Sequence, residues 1–256
     1  MINIKILISN DDGIYAKGIE TLKRYLEIDG HEVYVVAPAK EESGTGHGVT
    51  LHRPLRIKKV EINEKFFGYS VDGKPTDCIK LGYWGIYKDI NFDYVISGIN
   101  RGENLGSDIL YSGTVSAAAE ATLLGMKSIA VSVKSNGEEY KYETAAKFII
   151  EYLKELELIE FPKETLLNIN VPNVEYSDLK GYNYTLQGDR KYIDDFIERE
   201  DPQGNKYYWL GGELEEYGDS IDIDFNTVKE NKISITPINL NLTDHKFLEK
   251  LKGDRK

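Results

Sequence analysis

Two adjacent aspartates at the end of an apolar run are the first residues in this chain that could do chemistry. Asn10-Asp11-Asp12-Gly13 follows Ile4 to Ser9, a nearly continuous apolar stretch that suits a strand buried on both faces of a parallel sheet. Ligand sites in open α/β sheets lie beyond the carboxyl ends of the strands. Side chains alternate along an extended strand, so Asp11 and Asp12 converge only if the chain turns, and Gly13 supplies a residue that can turn it. An Asx-turn with a helix cap draws on the same residue types. These four residues alone favour that reading slightly.

Three further groups offer oxygen ligands or phosphate donors. Ser43-Gly44-Thr45-Gly46-His47-Gly48 is small, polar and glycine-rich; it can present a hydroxyl ligand, and it equally suits a plain flexible loop. Ser97 to Gly106 carries glycines with Asn100 and Asn104, as a loop held close to a ligand would. Tyr111-Ser112-Gly113-Thr114-Val115-Ser116 stands immediately before an alanine-rich helical stretch. Free N–H groups and the dipole at a helix N-terminus favour anions, and Ser112, Thr114 and Ser116 would add hydroxyls or simply cap the helix. Gly68 to Lys74 imitates a Walker A loop but continues with Pro75 where a hydroxyl is needed. His31, His47, His52 and His245 show no metal-site spacing. Two carboxylates, a hydroxyl and an amide oxygen form a hard donor set, suited to Mg²⁺ or Mn²⁺ rather than Zn²⁺.

The elements that must position these residues follow from periodicity. Ile4 to Ser9 reads as a strand, residues 15 to 28 as a helix with Ile19, Leu22 and Leu26 on one side, and His31 to Ala37 as a second strand. Strand, helix, strand is a right-handed parallel unit. Val49 to Ile62 reads as a hairpin excursion, Pro75 to Tyr87 contains a short helix, and Tyr94 to Ser97 is a short buried strand. Helices are expected at Ser116 to Leu124 and Tyr142 to Leu156, and strands at Ser128 to Val133 and Leu166 to Val171. The fold class is α/β, a Rossmann-like and mostly parallel sheet. Residues 1–256 form a single domain in this reading, with an α/β core over 1–175 and an extension over 176–256 made of extended arms and hairpins. Within it, Ile233 to Ile238 is strand-like and His245 to Lys252 helical. The charged run Asp189 to Asp201, between aromatic clusters, would suit the exposed tip of an arm used in assembly.

Composition removes several classes. A net charge of -11 over 256 residues argues against non-specific or duplex nucleic-acid binding, which needs a basic footprint. It also makes phosphate capture unfavourable unless a cation inverts the local field. Cys78 is the only cysteine, so no internal disulfide or cysteine zinc site forms, and a small buried side chain is expected there. No basic segment precedes an apolar one at Met1 to Ser9 and no run approaches a membrane span. A cytoplasmic protein without membrane contact is the expectation.

The quoted residues, in order, resemble the SurE survival-protein family along essentially the whole chain. The resemblance rests on Ser9 to Gly13, Val36-Ala37-Pro38 with Ser43-Gly44, Gly73 to Cys78, Ser97 to Asn100 with Gly102, Asn104 and Gly106, and Tyr111 to Ser116. Leu167 to Pro172 and Ser234 to Pro237 complete it. Lys74 and Glu103 depart from the usual threonine and proline, which bears on base preference. The resemblance implies a nucleoside 5′- and 3′-monophosphatase, with short polyphosphate as a further substrate, that uses one divalent ion: Mg²⁺ or Mn²⁺ first, Co²⁺ third. It puts the metal ligands at Asp11, Asp12, Ser43 and Asn100, and the phosphate site at Ser112, Gly113, Thr114 and Ser116. Asp11, Asp12 and Asn100 are the catalytic candidates. It also implies a homodimer or tetramer held by C-terminal segments. A phosphatase with an aspartyl-phosphate intermediate and a non-catalytic nucleotide-binding module are the alternatives. The first usually spaces its aspartates two residues apart; the second has no need of Asp11 and Asp12 together with an ion.

Overall fold

β1 (Lys5–Ser9) explains the layering. Ile6 and Ile8 pack towards one side with Ile19, Leu22 and Leu26 of α1 (Lys17–Ile28) and with Ala145, Ile149 and Leu153 of α4 (Tyr142–Leu156). Leu7 packs towards the other side with Cys78 and Ile79 of α2 (Pro75–Leu81) and with Ala117 and Ala121 of α3 (Gly113–Leu123). Period-2 alternation thus feeds both layers, which is why the strand reads as continuously apolar. The computed structural model describes residues 3–253. Met1, Ile2 and residues 254–256, which the sequence reading includes in its domain and, for the first two, in its leader test, lie outside the described residues, as does the side chain of Asp194.

The remaining strands are β2 (Glu32–Pro38), β3 (Ile57–Ile62), β4 (Lys65–Val71), β5 (Tyr94–Arg101), β6 (Lys127–Val133), β7 (Thr165–Val171), β8 (Tyr182–Tyr184), β9 (Asp189–Glu200), β10 (Lys206–Tyr217) and β11 (Ile233–Asn239). The described residues form a nine-stranded sheet in the order β3-β4-β2-β1-β5-β6-β7-β11-β8. The stretch from β4 through β7 is parallel, while β3 and β11 run antiparallel to their neighbours β4 and β7. The α/β class with a mostly parallel sheet is therefore the observed one.

Three elements differ from the sequence reading, each for a local reason. α3 begins at Gly113, not Ser116, because the Ser112 hydroxyl accepts the Val115 N–H at 3.0 Å and caps the helix there. β5 runs on past Ser97 to Arg101 through a register shift between Ser97 and Asn100. The hairpin expected over Val49 to Ile62 is instead formed by β3 and β4, turning at Asn63-Glu64 with both residues at positive φ. No glycine marks that turn.

After residue 175 the chain returns to the sheet. β11 pairs with β7 from Ser234↔Asn170 to Asn239↔Thr165, and β8 adds beside it. α5 (Asp224–Lys229) and α6 (His245–Gly253) flank these strands in sequence. β9 and β10 form a separate two-stranded ribbon, paired from Tyr217↔Asp189 to Lys206↔Glu200. Asp189 to Asp201 is consequently a whole strand of the ribbon; only its end lies at the turn.

Candidate metal and phosphate site

The chain leaves β1 towards β2 on one side and later returns to β5 on the other. The crevice between β1 and β5 is a topological switch point, where open α/β sheets bind ligands. Asp11 and Asp12 follow β1, and Asn100 lies near the end of β5.

Asp11 is 3% exposed. The Thr114 hydroxyl donates to its Oδ1. A Cβ built on Gly113 would stand 2.7 Å from Asp11 Cβ and 2.9 Å from Oδ2, so the carboxylate lies directly against the first turn of α3. Only glycine permits that approach. Burial pushes the Asp11 pKa up, while hydrogen bonding from the Thr114 side chain and from the backbone of Asp11, Thr114 and Gly113 pulls the other way. Gly13, at φ +97, makes the turn after it, and Asn10 Nδ2 braces that turn by donating to Gly13 O at 2.9 Å. The Asx-type bracing and the carboxylate pair therefore coexist.

Asp12 accepts the Arg101 peptide N–H at 2.9 Å. Burial raises its pKa to about 6; the Arg101 N–H opposes this, and the charges of Asp11 and Glu41 add to it. Among the described residues neither Asp11 nor Asp12 forms an ion pair. Two neighbouring, largely buried carboxylates without a cation are costly. Their donor chemistry fits a hard divalent ion.

Asn100 and Ser43 are placed differently. Asn100 is 9% exposed; its Nδ2 donates to Gly102 O at 2.9 Å, which leaves Oδ1 as the available atom. The loop beyond it is fixed by buried asparagines. Asn168 and Asn170 donate to Asn104 O at 2.8 and 2.9 Å, and the Asn104 N–H reaches Asn170 Oδ1 at 2.8 Å. Ser43 is exposed and its hydroxyl donates to Glu41 Oε1 at 3.0 Å. One residue before it, the Glu42 N–H donates to Asp11 O at 2.8 Å. This ties the loop to the aspartate strand-end without turning the Ser43 hydroxyl onto a carboxylate of Asp11 or Asp12. Of the phosphate candidates, the Ser116 hydroxyl donates to Ser112 O at 2.6 Å and Thr114 serves Asp11. Ser112 accepts from Val115, and its own proton stays available. Among the described residues no group of three or more His, Cys, Asp or Glu side chains is arranged to hold a metal, so a site here depends on the mixed set of carboxylate, amide and hydroxyl oxygens.

A cleft of about 450 Å³ opens beside Asp12, bordered by Tyr15, Lys40, Glu41, Arg101 and Tyr142. Of the candidate metal and phosphate ligands only Asp12 lines it, together with the turn residue Gly13. Arg101 is the residue that sequence reasoning passed over: its N–H holds Asp12 and its guanidinium pairs with Glu41 at 3.2 Å. Its position next to Asn100 was the available signal.

The raised Asp12 pKa gives a stability prediction. In the unfolded chain the group ionises near 3.8, in the folded chain near 6. Below both values it is protonated in both states; as pH rises past 4 the unfolded state releases its proton first, and the folded state carries the penalty in full above 6. With metal removed by EDTA, Asp12→Asn should stabilise the protein by about 1–2 kcal/mol at pH 8, after allowance for partial solvent screening, or by a few degrees in Tm. The gain should vanish below about pH 4. A Tm difference independent of pH would contradict it.

Comparison with known proteins gives one consistent result. The family model described as "Survival protein SurE" matches residues 6–194. A protein called 5′-nucleotidase SurE from Petrotoga mobilis is 48% identical over 250 residues, covering 98% of each chain. One of the same name from Carboxydothermus hydrogenoformans is 47% identical over 252 residues, covering 97% of this chain and 95% of that one. The crystal structure of the SurE protein from Aquifex aeolicus superposes with a TM-score of 0.84 at 38% identity, over 98% of this chain and 100% of that chain.

Proposed function

The chain belongs to the SurE family, and we infer from this that it is a 5′-nucleotidase, hydrolysing nucleoside monophosphates to nucleoside and phosphate. Relatives bearing that name match over almost the whole length. The observation in the structure that best supports the reading is the pair of neighbouring, largely buried carboxylates at the β1–β5 switch point, with one of them seated on the first turn of α3.

Asp11, Asp12, Asn100 through Oδ1 and Ser43 would hold one divalent ion, with Mg²⁺ or Mn²⁺ the best match to hard oxygens. When bound, the ion neutralises phosphate oxygens and acidifies water. Within the chain, Thr114 and the Gly113 contact fix the Asp11 carboxylate, and the Arg101 N–H fixes Asp12. Ser112 and the N-terminal turn of α3 support the phosphate oxygens as charge redistributes. Attack by water forms one P–O bond as the bond to the ribose oxygen breaks, and the proton leaves with the nucleoside. Water is favoured over Asp11 as nucleophile because the Asp11 carboxylate is already engaged by Thr114. Phosphate release from a panel of 5′- and 3′-monophosphates and tripolyphosphate, with Mn²⁺, Mg²⁺ and Co²⁺, tests the reading. No release from any nucleotide with any ion would overturn it, and trapping of a covalent phosphoenzyme would move the nucleophile to an aspartate. The reading places the enzyme in the cytoplasm with its substrates; among the described residues no helix is long and apolar enough to cross a membrane.

The same reading gives the segment after 175 a role in assembly. Large apolar side chains are exposed on both faces of the β9–β10 ribbon: Phe196 and Leu210 on one, Ile197 and Trp209 on the other. A lone two-stranded ribbon has little stability of its own, and aromatic residues favour interfaces. A homodimer or tetramer covering the ribbon accounts for this. The Phe196→Glu, Trp209→Glu variant should run as a smaller species in light scattering at micromolar concentration. An intact chain that is monomeric and fully active would refute the assembly role.

A further inference from the structure

Glu120 is a carboxylate where the helix pattern calls for none. It sits in the run Ser116 to Thr122 of α3, whose other members are small and buried, and it is 4% exposed. A buried carboxylate needs partners for both oxygens. Lys80, from α2, meets Oε1 at 2.5 Å, and His47 Nε2 meets Oε2 at 2.9 Å. The histidine comes from the glycine-rich loop that carries Ser43, seventy-three positions away in sequence. Besides the exposed Glu41–Arg101 ion pair at 3.2 Å, which solvent screens, the loop has two backbone fastenings to the site. The Glu42 N–H donates to Asp11 O at 2.8 Å, and the Gly46 N–H donates to Tyr111 O at 3.0 Å. Tyr111 immediately precedes the α3 cap Ser112.

These three ties have different strengths. The Glu42 and Gly46 ties are single neutral peptide hydrogen bonds on a partly exposed loop. The third carries the charge of a buried acid, and hydrogen bonds to charged groups are roughly twice as strong as neutral ones. It is also the one that connects the loop to the interior of α3, the helix whose first turn holds Asp11. Lys80 orients the carboxylate from the other side, so that its second oxygen faces the histidine.

We propose that Glu120, acting through His47, is a positioning residue that clamps the Ser43 loop against the aspartate strand-end and the start of α3. This inference rests on the reading of Ser43 as a metal ligand. It gives His47 a mechanical role, distinct from acid catalysis and from an ordinary surface position. Without the clamp the two backbone hydrogen bonds of the loop open more often and Ser43 spends less time at the site, so ion binding weakens.

The test uses the full-length protein. His47→Ala removes a side chain that is 37% exposed but leaves one oxygen of buried Glu120 without its partner, so Tm is recorded alongside; His47→Gln retains a side-chain donor of similar reach; Glu120→Gln removes the charge. Amide hydrogen exchange on the metal-free protein reads the clamp directly at Glu42 and Gly46, and calorimetric titration with Mn²⁺ alone reads the site. The expected result for His47→Ala and Glu120→Gln is exchange at those two amides at least tenfold faster and Mn²⁺ affinity about tenfold weaker, with substantial recovery of both in His47→Gln. Wild-type Mn²⁺ affinity in His47→Ala would overturn the proposal, whether or not exchange changes. Weaker Mn²⁺ binding that His47→Gln fails to restore, with exchange unaltered, would overturn it too, since the loop would then not be the route. If the wild-type protein binds no Mn²⁺, the metal-site reading itself fails and this inference falls with it, a result distinguishable because the exchange data would still register the clamp.

Discussion

Replacing Asp11 and Asp12 together by asparagine should lower turnover of a nucleoside monophosphate by at least about 10³-fold, equivalent to roughly 4 kcal/mol of transition-state stabilisation. Asparagine keeps an oxygen for the Thr114 hydroxyl and for the Arg101 N–H, the two contacts that hold these side chains. The fold should therefore survive, and removal of two buried charges should leave the metal-free protein at least as stable as before. Loss of activity with loss of structure would say nothing of the site, so circular dichroism and Tm accompany the kinetics. Calorimetry should show Mn²⁺ binding abolished. A folded double variant with near-normal turnover would remove both aspartates from the mechanism, and with them the carboxylate-bound ion.

Gly113→Ala should cost about 10²-fold in kcat while improving the local helix. The residue is the first of α3 and has no positive φ, so alanine there is favoured by up to about 1 kcal/mol in helix propensity. Its added Cβ would stand 2.7 Å from Asp11 Cβ. That contact is backbone-anchored on one side and close to the backbone on the other, so the Asp11 carboxylate has to move. A displacement of about an ångström at a reacting centre is enough for a loss of this size. Thr114→Val, which keeps the shape and removes the hydroxyl on Asp11, should give a similar kcat effect without displacing the carboxylate. Turnover of Gly113→Ala within threefold of the parent would show that the close approach has no catalytic meaning.

The strand-helix order and both faces of the central strands were legible because apolar periodicity reports burial directly. Ile6, Leu7 and Ile8 are enclosed on both sides, as the unbroken run implies. The four candidate segments stood out by residue type, glycine, serine, asparagine and aspartate at strand ends, although Asx-turns, helix caps and plain loops draw on the same residues. What each hydroxyl does was not legible. Thr114 looks like a phosphate donor in sequence and serves Asp11 in space, a partner 103 positions away. Asn168 and Asn170 appeared only as part of a resembling motif; their work, gripping Asn104, depends on β7 lying beside β6, which no local pattern reveals. The β3–β4 turn was missed because Asn63-Glu64 lacks the glycine that usually marks positive φ.

The ribbon made by β9 and β10 raises a question of alignment. In most sheets a slip by one position is punished at once, because it carries the apolar set to the wet side. Here Phe196 and Leu210 lie on one side and Ile197 and Trp209 on the other, all exposed, so the two sides are nearly interchangeable and solvent cannot tell a slipped ribbon from a correct one. Proofreading falls to the two ends. At the base, the 6%-exposed Arg190 side chain is held by Glu103, Asp108 and Glu216. At the tip, Asp201 accepts the N–H groups of Gln203 and Asn205 at 2.9 and 2.8 Å. Asp201→Ala, which touches no apolar residue, should therefore scatter the ribbon among offset pairings, visible as doubled amide resonances along β9 and β10. Substitutions in the middle of the ribbon should leave the pairing single.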